Sequence, residues 1–294
     1  MTSLRFPKLK EETIGETEWS IVLRRFKKNK LAVAGLIIVG IVLLIAIFAP
    51  LIAPYSPVNQ NLSERISSPS KTHLLGTDEY GRDVLSRIIY GSRIALMLGV
   101  VVVAIEVIIG VTLGLISGYF GGKIDQIIMR TVDVVWAFPA LILALAIVVI
   151  LGPGIFNVMI AIGIVGWARY ARVVRGEVLS VKEEAFVEPA RAIGEKDSRI
   201  IISYIFPNVV PSILVLATLD IPGIIITGAS LSFLGLGAQP PTACWGAMLA
   251  EGRAYLELAP WLATFPGLAI MFTVLGFNFV GDGLRDASQP EVFK

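Results

Sequence analysis

Three carboxylates lie where water should be scarce. Glu106, Asp133 and Asp220 fall inside long apolar runs or at their edges. A charge near the middle of a bilayer is expensive. Glu106 and Asp220, each central in its run, must therefore face a polar cavity, find a partner or hold a proton. Two readings stay open for this pair: lining a path for a polar substrate, or serving as neutral acids hydrogen-bonded to a neighbouring helix. Asp133 is the third candidate for such a path, but it sits three residues after Arg130 near the end of its run. That spacing predicts an interfacial i,i+3 pair instead. Catalytic chemistry finds no comparable constellation. His73 is the only histidine and Cys244 the only cysteine, which leaves no Cys/His metal cluster and no internal disulfide. His73 stands on a polar segment with no second soft ligand nearby, so a structural role is expected. No HExxH, GxSxG or GxxxxGK[ST] occurs. Gly121-Gly122-Lys123-Ile124 is the nearest look-alike to the last, and it lacks the leading Gly and the Ser/Thr. The chain is expected to bind no ATP through a P-loop of its own and to catalyse nothing itself.

Six apolar segments would hold these groups: 31–53, 94–116, 131–151, 155 to the arginines Arg169, Arg172 and Arg175, 209–236, and 261–280. Each fits the roughly 20 residues that cross about 30 Å of hydrocarbon. Only helices satisfy the backbone there without closing a barrel. Composition agrees: of 294 residues 55% are apolar and 16% charged, with a mean hydropathy of +0.77. Soluble domains carry about a quarter charged residues. The expected fold class is all-α, a polytopic membrane protein with six transmembrane helices. A soluble enzyme, a nucleic-acid-binding module and a disordered scaffold are excluded as first readings. A net charge of +2 gives no global basic field for nucleic acid. Gly110, Gly114, Gly118 and Gly122 repeat every four residues and predict a tightly packed helix face, within the chain or against a partner. Chance in a glycine-rich membrane protein is the alternative. Pro222-Gly223 beside Asp220 predicts a broken fifth helix near the midplane, lining a cavity or buried in protein.

Nineteen Lys and Arg flank the segments on one side and six on the other. The positive-inside rule then puts both termini in the cytoplasm. Residues 1–30 are expected to form a cytoplasmic segment, 31–53 the first span, 54–92 an extracellular loop, 93–282 a domain of the remaining spans and their loops, and 283–294 a cytoplasmic C-terminus. Trp19, Val22, Leu23 and Phe26 at i, i+3, i+4, i+7, with Arg24, Arg25, Lys27 and Lys28 between, predict a basic amphipathic helix on the inner leaflet. A generic positive flank is the alternative. About 30 polar residues precede the first run, which is too long for a signal-peptide core.

The longest cytoplasmic loop, 176–208, is polar and predicts a short helix, a break at Gly194, and a second helix ended before Pro207. Its spacing, Glu188-x-Ala190-x3-Gly194 with Ile205-Phe206-Pro207 thirteen residues past the glycine, resembles the EAA loop of ABC importer permeases. Pro189 stands where that family usually has Ala, and Phe206 replaces the usual Leu. Pro189 is tolerable in the first turn of a helix, whereas an earlier start would force a kink. The segment from His73 to Arg87 resembles the HxLGTDxxGRDxxSR signature of dipeptide and oligopeptide importer permeases. So do Leu231-Ser232-Phe233-Leu234-Gly235-Leu236-Gly237 with Gln239-Pro240-Pro241 and Trp245-Gly246, and the closing Gly281-Asp282-Gly283-Leu284-Arg285-Asp286-Ala287. Trp19 with Phe26 to Ala32 resembles the start of the second permease subunit of that subfamily. Together these motifs cover some 270 residues in order.

The resemblance implies a type I ABC importer permease fold. It implies a complex of two homologous permease subunits seated in the lipid bilayer of a bacterial cell membrane, two ATP-binding subunits and an extracellular substrate-binding protein. ATP and Mg would sit on the partner ATPases, with no cofactor on this chain. Glu188, Ala190, Gly194 and Pro207 would couple the loop to those subunits. Glu188 would make polar contacts, Ala190 would permit close approach and Gly194 would supply the turn. Asp78, Arg82 and Asp83 would either shape the outer loop or contact the delivery protein. Peptides are the implied cargo, with nickel, glutathione or oligosaccharide as alternatives from similar permeases. A secondary transporter is the remote alternative, since it needs no ATPase-docking loop and no inverted repeat is evident.

Overall fold

Asn29 opens the first long helix. Its side-chain oxygen accepts from the N–H groups of Leu31 (3.1 Å) and Ala32 (3.2 Å), satisfying donors that a helix start leaves orphaned. In the computed structural model, which describes residues 18–288, this helix is α2 (Lys30–Ile47), preceded by α1 (Glu18–Lys28) and followed by α3 (Ala49–Ile52). Then come α4 (Val84–Phe120), α5 (Gly122–Trp136), α6 (Ala140–Leu151), α7 (Ile155–Val181), α8 (Glu188–Ala192) and α9 (Asp197–Ile200). A π turn at Ile201–Ile205 leads into α10 (Phe206–Phe233), and α11 (Trp245–Arg253) and α12 (Trp261–Ser288) complete the order. Among the described residues there is no strand, only an isolated bridge between Thr77 and Asp83. Five stretches are long and apolar enough to span a membrane: α2, α4, α7, α9 through α10, and α12. The bent pair α5–α6 is a sixth when its two halves are taken as one span, so the architecture is all-α with five to six spans, the expected six included.

Four local expectations need correction. α4 starts at Val84, ten residues before the apolar run. Asp83 caps it by accepting from the Ser86 N–H at 2.8 Å, and Arg93 is anchored on the carbonyl of Ala46 at 2.6 Å. Polar residues that lower the hydropathy are thus bonded to the cap and to the end of α2. The third span is not one helix, because α5 and α6 meet at 90°. Pro139 stands at the bend, and a proline drives the residue before it out of helical conformation. α10 passes unbroken through Pro211 and Pro222. Pro222 is buried, and packed neighbours hold a membrane helix through a proline. Finally, no helix ends before Pro207. α9, the π turn and α10 are consecutive, and the π turn shifts the ladder where Pro207 has no N–H to give.

The core runs the length of the bundle. Leu98 and Val102 of α4, Val148 of α6, Val158 and Met159 of α7 and Leu231 of α10 fill its middle. α2 packs on α12: a β-carbon at Gly35 would lie 2.6 Å from Phe279 Cβ. Its other face leaves Leu36, Ile37, Ile41 and Leu44 exposed, an apolar surface suited to lipid or a partner. On α1, Phe26 is buried with Ala32 and Ala287, so part of the expected amphipathic face turns onto α12, while Leu23 stays outward. The Trp19 side chain lies outside the described residues.

Candidate functional site

Arg169, Arg172 and Arg175 recur every three residues along α7, and each meets a carboxylate from another helix. Arg169 Nη1 donates to Asp220 Oδ1 of α10, and Arg172 Nη2 donates to Asp133 Oδ1 of α5. Arg175 forks onto Asp125 of α5, Nε to Oδ1 at 2.5 Å and Nη2 to Oδ2 at 2.6 Å. The expected Arg130–Asp133 pair is therefore replaced by a pair across helices. Arg172 also lies over the Trp136 ring, 4.1 Å from its centroid, which brings its guanidinium to Asp133. Asp125 was not marked by the sequence, because it lies outside the apolar runs. The three-residue spacing of the arginines was the available signal for its partner helix.

Glu106, Arg169 and Asp220 line one cavity of about 260 Å³. Its walls are otherwise mostly apolar, with Val135, Trp136, Phe138, Ile162 and Ile224 among them. The two central carboxylates are thus brought together. Asp133 does not line this cavity and instead borders a separate cleft with Asp125, Arg130, Arg172 and Arg175. Glu106 is only 3% exposed and makes no hydrogen bond or ion pair among the described residues. Its carboxylate rests against Gly166, where a β-carbon would fall 1.7 Å from Oε1. Gly166 makes room for the acid, a role that no sequence motif marked.

The four-residue glycine repeat positions Glu106. Glu106, Gly110, Gly114 and Gly118 form one buried face of α4 against α7. β-Carbons at the three glycines would lie 2.4 Å from the Trp167 carbonyl oxygen, 2.8 Å from that of Ala171 and 2.6 Å from Val178 Cβ. The packed face is therefore internal to this chain. Gly122 does not belong to it, because nothing lies within 4 Å of its β-position and its φ is +56°. With Gly121 at +63° it forms the left-handed turn from α4 to α5, a conformation that glycine adopts freely.

Beyond the end of α7, α8 starts at Glu188, so Pro189 sits in its first turn and no kink follows. Gly194 has φ +78°; its N–H bonds the Arg191 carbonyl at 3.0 Å, and the Glu195 N–H bonds that of Ala190 at 3.1 Å. This is a Schellman closure. Glu188 is exposed, but Ala190 is 3% exposed and packs with Val187, Ile200 and Ile205. Any close approach that Ala190 permits is therefore to its own bundle. The outward face shows Phe186, Ile193 at 77% exposure and Ile202. Tyr119 at the end of α4 donates to Asp197 at 2.6 Å, fixing this loop to the span that carries Glu106.

At the opposite end, Asp78, Arg82 and Asp83 are all buried, so these side chains shape the loop from within. Arg82 Nε donates to Asp78 Oδ2 at 2.6 Å, and Arg82 and Arg87 both reach Glu251 of α11 at 3.2 Å. His73 Nδ1 lies 2.9 Å from Asp83 Oδ1, Nε2 lies 3.4 Å from Glu64, and the ring packs on Tyr55. Burial pushes the imidazole pKa down, but the bonds to Asp83 and Glu64 and their charges outweigh it and hold His73 above its ordinary value. Burial pushes the Glu251 carboxyl up, against the pull of Arg87.

A family model described as binding-protein-dependent transport system inner membrane component matches residues 110–294. A second, the N-terminal TM domain of oligopeptide transport permease C, matches residues 17–69. A dipeptide transport system permease protein of Alkalihalophilus pseudofirmus is 47% identical over 286 residues, 97% of this chain and 94% of that protein. An oligopeptide transport system permease protein of Bacillus subtilis is 44% identical over 276 residues, 94% of this chain and 90% of its own length. A glutathione transport system permease protein of Escherichia coli is 46% identical over 277 residues, 94% and 91% of the two chains.

Proposed function

The chain belongs to the family of binding-protein-dependent transport system inner membrane components, and from that premise we propose that it is a permease subunit of an ATP-driven peptide importer. It pairs with a second, homologous permease. Two ATP-binding subunits hold ATP and Mg and carry out hydrolysis, and an extracellular binding protein delivers the cargo. Both termini and the α8–α9 loop face the cytoplasm.

The observation that carries this reading is that loop. Its α8 part lies between the spans of α7 and α9–α10, yet it exposes Phe186 and Ile193 beside the charged Glu188 and Arg191, with Ile202 exposed at the start of the next span. A helix presenting apolar anchors within a polar rim suits a groove on another protein. α7 enters the loop and α9 leaves it without interruption into α10. Closure of the ATP-bound subunits would then move α7 and α10 together, and these helices carry Arg169 and Asp220. The energy comes from the difference in ATP affinity between inward-open and outward-open states. The cavity around Glu106, Arg169 and Asp220 is the polar part of the path.

Purification of the tagged chain from its membrane tests the assembly. A second permease and an ATPase should accompany it, and vesicles holding the complex should take up labelled dipeptide only with ATP and the binding protein. Recovery of the chain without an ATPase, with uptake driven by an ion gradient, would favour a secondary transporter instead.

A further inference from the structure

We infer that the cavity formed by Glu106, Arg169 and Asp220 receives the two terminal charges of a peptide, with Arg169 taking the carboxylate and Asp220 with Glu106 taking the α-ammonium. This rests on the reading of that cavity as part of the import path.

The three rungs of the arginine ladder differ. Arg175 and Asp125 engage in a two-pronged fork that uses both carboxylate oxygens, the geometry of a fixed brace. Arg169 and Asp220 share a single bond, Nη1 to Oδ1. A guanidinium has five N–H donors, so Arg169 keeps donors to offer. Its side chain is 51% exposed while that of Asp220 is 12% exposed, which places the cation as the accessible partner. Glu106 lies deeper, 3% exposed and without a hydrogen-bonding partner among the described residues, yet it lines the same space. A buried carboxylate left so is costly unless it holds a proton or something visits it, and a visiting ammonium would supply the missing charge.

The cavity of about 260 Å³ is close to the lower bound of small-ligand pockets, about 300 Å³. Apolar walls from Trp136, Phe138 and Ile162 would take varied side chains. Dipeptides, longer peptides and glutathione share an ammonium and a carboxylate. Such a zwitterion can exchange with the Arg169–Asp220 pair charge for charge. Neither Arg169 nor Asp220 is left without an opposite charge at any stage, so the step avoids stranding a charge in the cavity. A bare metal cation has no such exchange available, because Arg169 would have to lose its partner.

The test uses the whole complex in proteoliposomes, with binding protein saturated with labelled dipeptide. Arg169→Gln, Asp220→Asn and the double variant should each lower uptake at least tenfold, while ATPase stimulation by the loaded binding protein stays within twofold of wild type. Recovery of uptake in the double variant to within twofold of wild type would show a mere brace and overturn the inference. So would parallel loss of uptake and ATPase. Thr227 also lines the cavity, so Thr227→Trp, which adds bulk there without removing a charge, should block uptake and spare ATPase, and unchanged uptake would equally overturn it. Arg169→Glu should shift the ratio of C-amidated to free dipeptide taken up at least tenfold toward the amide; an unchanged ratio counts against the charge assignment. If the wild-type complex shows no ATP-driven uptake, the importer reading itself fails and this inference with it, whereas the other adverse outcomes overturn the inference alone.

Discussion

Adding one carbon at Gly110 should loosen the bundle. In Gly110→Ala the new β-carbon would lie 2.4 Å from the Trp167 carbonyl oxygen and 2.5 Å from Tyr170 Cβ. Non-bonded carbons rest about 3.5–4.0 Å apart, so α4 must back off α7 by about 1 Å. Tyr170 is fully buried and has no space to swing into. Forcing an extra carbon into a packed core costs about 1–3 kcal/mol. Alanine in a helix interior recovers up to about 1 kcal/mol. The net loss expected is about 1–2 kcal/mol, a factor of about 5–30 in the folded-to-unfolded ratio. Gly176→Ala on α7 is the internal control, because no atom lies within 4 Å of its β-position and only the helix-propensity gain applies. Unfolding of the purified complex in an SDS titration reads both, and the two variants should shift in opposite directions. Glu106 lies one turn before Gly110 on the same face, so Gly110→Ala should also lower uptake. A Gly110→Ala protein as stable as wild type, or equal shifts in the two variants, would refute the packed seam.

Gly194→Val should uncouple transport or impair assembly through backbone strain alone, since its β-position is free but its φ is +78°; the strain is about 1–2 kcal/mol. Gly194→Asn, which tolerates that conformation, should stay near wild type in uptake per ATP, and normal coupling in the valine variant would sink the argument. If Glu106→Gln and Asp220→Asn both transport at the wild-type rate across pH, the carboxylates serve structure only. Phe186→Ser with Ile193→Ser should release the ATPase during purification while leaving the bundle folded, because both side chains point outward. His73 has its folded-state pKa raised, so the stability it adds is complete below its ordinary value of about 6.5 and is lost as pH rises through the raised value. Hydrogen exchange over 54–83 should therefore quicken in that window in wild type and lose the step in His73→Gln, and a flat wild-type profile would refute it.

Much of this protein was legible from one dimension. Apolar runs of about 20 residues allow only spanning helices, so the spanning segments and their order followed from the placing of apolar residues along the chain, though not the 90° bend in the third. Gly110, Gly114 and Gly118 announced a close helix contact because only missing side chains permit one. Gly194 announced a turn, since few other residues hold a positive φ. Glu106 and Asp220 were conspicuous because the bilayer makes charge expensive there. Their meeting in one cavity was not legible. It depends on which faces of α4, α7 and α10 turn inward, and sequence spacing fixes a face but not its neighbour. The same limit explains Asp133, whose nearest cation along the chain is Arg130 but whose partner through space is Arg172. It also explains Ala190, which faces its own bundle. Proline was an uneven guide: Pro139 sits at a 90° bend that the apolar run did not show, while α10 continues through Pro222, where a break was expected. The cost of a missing N–H is local and readable from sequence, but whether surrounding helices compensate for it is decided only by packing.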